Sequence, residues 1–201
     1  MSRALALLEY DSVAEGVLAV DRMLKRSPVA LLRCGSVHPG RWLALVGGTV
    51  AATEEAHAEG LRGGGLVDAV CLADPHPLLL AAVMGARTAP AGEALGVVEA
   101  VTSPALLKAL DAALKTVPVG LGELRLADDL GGRAVAFLDG LLPDVEAALD
   151  QARAALEHSG RLAAVTLLPR LDESLRDLLT ATSRFAACAL REPVGGEVLE
   201  D

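Results

Sequence analysis

The sequence predicts an α+β protein built from two similar domains. The chain repeats itself once, with a period of about ninety residues, a length that folds as one domain. Within each copy, short β-type runs and helical periodicity alternate in the same order. The 201 residues are 52% hydrophobic, 22% charged and only 2% aromatic, so the core is assembled from Ala, Leu and Val. Such side chains suit close packing of elements. They fill little volume each, and a chain of this kind often gains extra burial by associating with copies of itself.

The repeat is read by laying Ala4–Val29 on Ala94–Val119, an offset of 90 residues (4 to 94). The matches include Ala4/Ala94, Leu5/Leu95, Glu9/Glu99, Ala19/Ala109, Asp21/Asp111, Leu24/Leu114, Lys25/Lys115, Pro28/Pro118 and Val29/Val119. Further on, GRWLALVGG from Gly40 meets GRAVAFLDG from Gly132, an offset of 92 (40 to 132). The second copy therefore carries a longer, acidic loop, LADDLGG, where the first has GSVHPG. The junction lies at Gly85–Glu93, whose Gly, Pro and Ala content fits a linker. The division is residues 1–88, 89–180 and a C-terminal extension, 181–201.

Each copy opens with a strand, Leu5–Glu9 or Leu95–Glu99. A helix follows, with Ser12 or Ser103 as its N-cap and Val13, Val17, Val20 and Leu24 at helical spacing in the first copy. Pro28 and Pro118 stop that helix, because proline lacks an N–H and clashes with the preceding turn. A strand, a turn and a second strand come next, the latter at Trp42–Val46 or Ala134–Leu138. Helices are expected over Val50–Leu61 and Pro143–His158; Pro143 in a first turn loses no hydrogen bond. Strands Leu66–Leu72 and Leu162–Leu168 close the copies, each followed by a short helix. This β-α-β-β-α-β order is the ferredoxin-like arrangement. In the extension, Phe185, Cys188 and Ala189 suggest an added helix with one apolar face, followed by an acidic tail.

Several functions are excluded by composition and motif. A net charge of −9 argues against nucleic-acid binding, which relies on basic patches. No apolar run approaches the roughly 18 residues of a membrane span, and the first residues do not read as a signal peptide, so the expected location is the cytoplasm. Cys34, Cys71 and Cys188 are scattered, which fits neither a disulfide framework nor a zinc knuckle. No dinucleotide fingerprint, P-loop lysine motif or nucleophile elbow occurs. The expectation is a protein that is not an enzyme.

The stretch GSVHPGR remains. Two glycines and a proline frame His38 in a turn between two apolar runs. By itself this leaves His38 open as a ligand, a base or an exposed loop residue.

The quoted segments carry a resemblance. ALALLEYDSVAEGVLAVDRMLKRSPVALL and ALGVVEAVTSPALLKALDAALKTVPV resemble the opening strand and helix of the bacterial microcompartment (BMC) shell domain, and TLLPRLDESL is similar to its closing strand and Pro-Arg turn. Two copies in strand-first order look like the non-permuted, tandem-domain, trimer-forming type. The resemblance implies a homotrimer, flat and pseudohexameric, tiling edge to edge with other BMC shell proteins around encapsulated enzymes in the bacterial cytoplasm. Small-molecule metabolites would cross its central pore.

The resemblance also assigns residues. The turn after the second strand would face the pore, giving Ser36, Val37, His38 and Pro39 in the first copy and Asp128 and Asp129 in the second. Lys25, Lys115 and Arg170 match tile-edge positions, with His76 near the place of Arg170 in the first copy. GSVHPGRWLAL resembles the iron–sulfur trimer subtype, but His38 stands where the cluster cysteine would be, so no iron–sulfur cluster is expected. Three His38 on a three-fold axis could hold a metal; a ring of uncomplexed imidazoles that tunes anion passage is the preferred reading. Two alternatives stay open: a metal- or redox-bearing pore protein, and a stand-alone ferredoxin-like ligand sensor.

Overall fold

The structure is a computed structural model and describes residues 4–188. The first copy contains β1 (Ala4–Tyr10), α1 (Val13–Arg26), β2 (Ala30–Val37), β3 (Arg41–Gly48), α2 (Val50–Gly60), β4 (Leu66–Leu72) and α3 (Pro77–Val83). The second contains β5 (Ala94–Ala100), α4 (Ser103–Thr116), β6 (Gly120–Leu126), β7 (Ala134–Gly140), α5 (Leu142–His158), β8 (Leu162–Leu168) and α6 (Glu173–Ala181). The order matches the expected one in both copies. Each copy forms an antiparallel four-stranded sheet, ordered β2-β3-β1-β4 and β6-β7-β5-β8. Even the irregularities repeat: the register shifts between Leu31 and Arg33, and between Leu121 and Glu123.

Local chemistry sets the helix ends. Ser12 caps α1 by accepting the Glu15 N–H at 3.4 Å. The Ser27 N–H returns to the Met23 carbonyl before Pro28 ends the helix. In the second copy Thr102, not Ser103, is the N-cap, and its side chain makes no cap bond. Both residues are diverted: the Thr102 hydroxyl donates to Asp68 and the Ser103 N–H donates to Glu9. A tertiary contact has replaced the local one.

The core falls into two clusters. The smaller one lies in the first copy, where Ala6, Leu8, Tyr10 and Val46 meet Ala19, Met23 and Ala56 from α1 and α2. Gly16 on α1 is required there, since a Cβ would come within 2.5 Å of the Trp42 ring. The larger cluster runs through both copies. It joins Leu5, Leu7 and Leu45 to α3, and α3 to α4, α5 and the second sheet. Each large apolar side chain withdrawn in this way contributes about 1.5–3 kcal/mol.

The linker Gly85–Glu93 is held against the second copy by hydrogen bonds. The Thr88 N–H donates to the Gly122 carbonyl at 2.9 Å, Arg87 pairs with Glu123 at 2.9 Å, and the Ala91 and Gly92 N–H groups donate to Asp139. In the extension, Phe185–Ala187 form a single 3₁₀ turn, while Ala189 and the acidic tail lie outside the described residues. Among the described residues, no helix is long and apolar enough to cross a membrane.

Candidate functional site

Two turns and one seam make up the site. The first turn joins β2 to β3. Ser36 and Val37 end β2; His38, Pro39 and Gly40 form the bend, closed by the Gly40 N–H on the Val37 carbonyl at 3.0 Å. Gly40 has φ 82°, a left-handed conformation that favours glycine. His38 and Pro39 are exposed.

The longer second turn, Ala127–Arg133, joins β6 to β7. Ala127, Asp129, Gly131 and Gly132 all have positive φ. The two turns touch: a Cβ on Gly132 would lie 3.0 Å from Pro39 Cδ and 3.2 Å from Arg41 Nη1. Residues 93 and 91 positions apart in the chain thus form one continuous rim. Asp128 and Asp129 are both ion-paired, Asp128 with Arg33 at 3.5 Å and Asp129 with Arg184 at 2.9 Å. Neither arginine was legible as a partner in the sequence, because the pairings are tertiary. Among the described residues of one chain, no three His, Cys, Asp or Glu side chains converge, so a metal at His38 requires side chains from more than one chain.

The seam between the copies was not foreseen. The N-terminus of α4 inserts against β1 and β4. Glu9 is fully buried there and accepts the Ser103 N–H at 2.9 Å and a short hydrogen bond from Arg41. Burial pushes the Glu9 carboxyl above its ordinary value, against the opposing pull of the Ser103 N–H and the Arg41 guanidinium. Beside it, Asp68 accepts from the Thr102 hydroxyl and pairs with Arg161 at 3.7 Å, and Arg161 also donates to the Val67 carbonyl at 3.0 Å. At the other end of α4, Asp111 accepts the His76 N–H at 2.8 Å and pairs with Lys115 at 2.6 Å. The signal for this seam was the repeat itself: Glu9, Asp111 and Lys115 are among the positions identical in both copies.

The expected edge residues are scattered over the surface. Lys25 pairs with Asp21 at 2.7 Å at the end of α1, and both are more than half exposed. Arg170 is exposed in the bend between β8 and α6. His76 caps α3, accepting from the Leu78 N–H at 3.3 Å, and stands four residues after β4. Asp172 caps α6 four residues after β8. His76 therefore corresponds to Asp172, and the place of Arg170 is taken in the first copy by Asp74.

Known proteins share this arrangement. The family profile of the BMC domain matches twice, over residues 4–75 and 94–171. The chain is 34% identical over 177 residues to the bacterial microcompartment shell protein PduT of Citrobacter freundii, covering 87% of this chain and 96% of that protein. It is 30% identical over 192 residues to the carboxysome assembly protein CcmO of Synechocystis, covering 88% of this chain and 64% of that one. A solved microcompartments protein from Desulfitobacterium hafniense superposes with a TM-score of 0.78 at 30% identity, covering 88% of this chain and 99% of its own. The fused permuted hexameric shell protein of the RMM microcompartment shares the fold, with a TM-score of 0.58 at 22% identity over 78% of this chain and 84% of its own. The chain belongs to the BMC-domain family, carries the domain twice, and is a structural shell protein of a bacterial microcompartment.

Proposed function

We propose that three copies of the chain close into a ring, giving a non-catalytic pseudohexameric tile with a pore on its three-fold axis. One observation carries this reading. Inside the chain, α4 of the second copy is covered by β4 and α3 of the first, burying Pro104, Leu107, Asp111 and Leu114. The corresponding residues of α1, Ala14, Val17, Asp21 and Leu24, are all exposed. The chain thus carries a donor surface on β8 and α6 and an unmatched acceptor surface on α1. Repeating the internal contact between chains uses both. A head-to-tail contact either closes or grows into a filament; two domains per chain and a six-domain ring give closure at three.

In that ring the turns at Gly35–Gly40 and Leu126–Gly132 line the opening, with Ser36, Val37, His38, Pro39, Asp128 and Asp129 facing passing metabolites. Lys25, Lys115 and Arg170 serve the outer edge, where the tile meets other shell proteins around the enclosed enzymes. The turn does not fit an iron–sulfur cluster: it offers His38 and no thiol, with Cys34 four residues back on β2. The His38 ring acts as a charge- and width-setting rim.

Light scattering coupled to size exclusion tests the ring. The expected mass is three times the 20.6 kDa chain. A monomer at micromolar concentration would overturn it. Elemental analysis after metal loading is expected to show no stoichiometric zinc; one zinc per three chains would make His38 a ligand.

A further inference from the structure

A cavity of about 250 Å³ opens between the two copies, beside the paired turns. Its floor is apolar: Leu7 and Leu45 from the first sheet, Val83 from α3 and Leu124 from β6. Its charged lining is Arg33, Arg125, Arg184 and Asp128. Arg33 is paired with Asp128 and Arg184 with Asp129, so among the described residues the net positive charge of the lining rests on Arg125, in a chain of net charge −9. Cavities with low-dielectric walls concentrate counter-ions of the opposite sign.

Arg125 belongs to this lining. Its Nη1 donates to the Ser183 hydroxyl at 3.3 Å and its Nη2 to the Asp128 carbonyl at 3.2 Å. Its Nε is buried and has no hydrogen-bond partner among the described residues. A buried donor left unmade is unfavourable until an acceptor arrives. Among the described residues Arg33 is held by the 3.5 Å pair with Asp128, and it remains largely exposed. The guanidinium fork matches a carboxylate in geometry. At roughly 30 Å³ per water-sized group, the cavity admits about eight non-hydrogen atoms.

We propose that this cavity binds a small monocarboxylate with a short aliphatic tail, its head on Arg125 and Arg33 and its tail on the leucine floor. The same two arginines hold the Asp128 carbonyl and carboxylate. A bound carboxylate therefore competes with the acidic turn, in which Ala127 and Asp129 adopt left-handed conformations with φ near 60°. Binding itself does not depend on the ring; only the consequence for passage rests on the pore reading.

Calorimetric titration of the full chain with butyrate tests the site, with butan-1-ol, butylamine and inorganic phosphate as comparators at constant ionic strength. One butyrate per chain is expected, with much weaker binding of all three comparators. Arg125→Gln and Arg33→Gln should each weaken butyrate by about ten-fold or more. Arg153→Gln, an exposed change on α5, should leave it unchanged. Unaltered circular dichroism and light scattering establish that the variants are folded and that ring formation is a separate matter. Equal binding of butan-1-ol, equal binding of phosphate, or undiminished butyrate binding by both cavity variants overturns the proposal.

Discussion

Helices α1 and α4 occupy the same place in their respective copies and share Ala19/Ala109, Asp21/Asp111, Leu24/Leu114 and Lys25/Lys115, yet their surroundings are opposite. On α4, ten of fourteen residues are buried; on α1, four of fourteen are. The difference lies in what covers the outward face. The first copy's β4 and α3 lie over α4, while the outward face of α1, with Val17 at 48% and Val13 at 41% exposure, has no cover among the described residues of the chain. The expected stripe Val13, Val17, Val20 and Leu24 is accordingly split. Only Val20 joins the buried face, with Gly16, Ala19 and Met23. An apolar stripe in a sequence marks a surface destined for burial, but not which molecule buries it.

Placing a charge on each helix should give the largest contrast. Leu107→Asp puts a carboxylate into the fully buried seam and should prevent folding, seen as loss of cooperative unfolding. Val17→Asp, at the corresponding exposed position, should leave the chain folded but monomeric by light scattering. A trimeric Val17→Asp protein would break the comparison.

The glutamates sharpen it next. Removing Glu9 strands Arg41 and the Ser103 N–H in the seam, so Glu9→Ala should lower stability by about 3–5 kcal/mol in urea. Glu99 pairs with Arg133 at 3.5 Å with both side chains partly exposed, so Glu99→Ala should cost about 1 kcal/mol or less in the isolated chain. If the proposed ring repeats the internal seam, Glu99 would receive the first N–H groups of the next chain's α1, and this variant should instead raise the concentration at which trimers dissociate. Equal losses of chain stability for the two variants would contradict the difference between the seams. The pH dependence follows from the same burial. Because the folded carboxyl of Glu9 is raised above its ordinary 4.5, the folded state holds the proton more tightly. Its contribution is fully present below 4.5 and is lost as pH rises through the folded value. Glu9→Gln should flatten the melting temperature over that window, and an unchanged slope would remove Glu9 as its source.

The smallest effect concerns the lysines. Both end their helices beside an aspartate four residues back, at 2.7 and 2.6 Å, but Asp21 is half exposed and Asp111 nearly buried. Lys25→Ala with Lys115→Ala should leave the trimer intact and impair sheet formation in electron micrographs. Sheets as extensive as wild type would remove the edge role.

Much of the fold was legible because repetition doubles every signal. A strand, a proline stop or a Gly-framed turn that is ambiguous once becomes firm when it returns ninety or so residues later in the same order. The turns were legible through Gly40 and Gly132, whose positive φ values mark where the chain reverses. The Ser103 cap was misread because a cap is local chemistry, and here Glu9 and Asp68 outcompete it from the other copy. Arg33, Arg125 and Arg184 could not be linked to the acidic turn, since nothing in their spacing brings them together.

The sequence by itself determined the two domains, their strand order and the identity of the residues on each turn, because period, proline, glycine and apolar alternation act over a few neighbouring residues. Tertiary structure alone decided that Glu9 is buried, that the two turns meet at Gly132 and Pro39, and that a cationic cavity opens between the copies. Those features depend on how one sheet docks on another. Docking is set by the summed burial of many apolar side chains, and no single stretch of the chain records it.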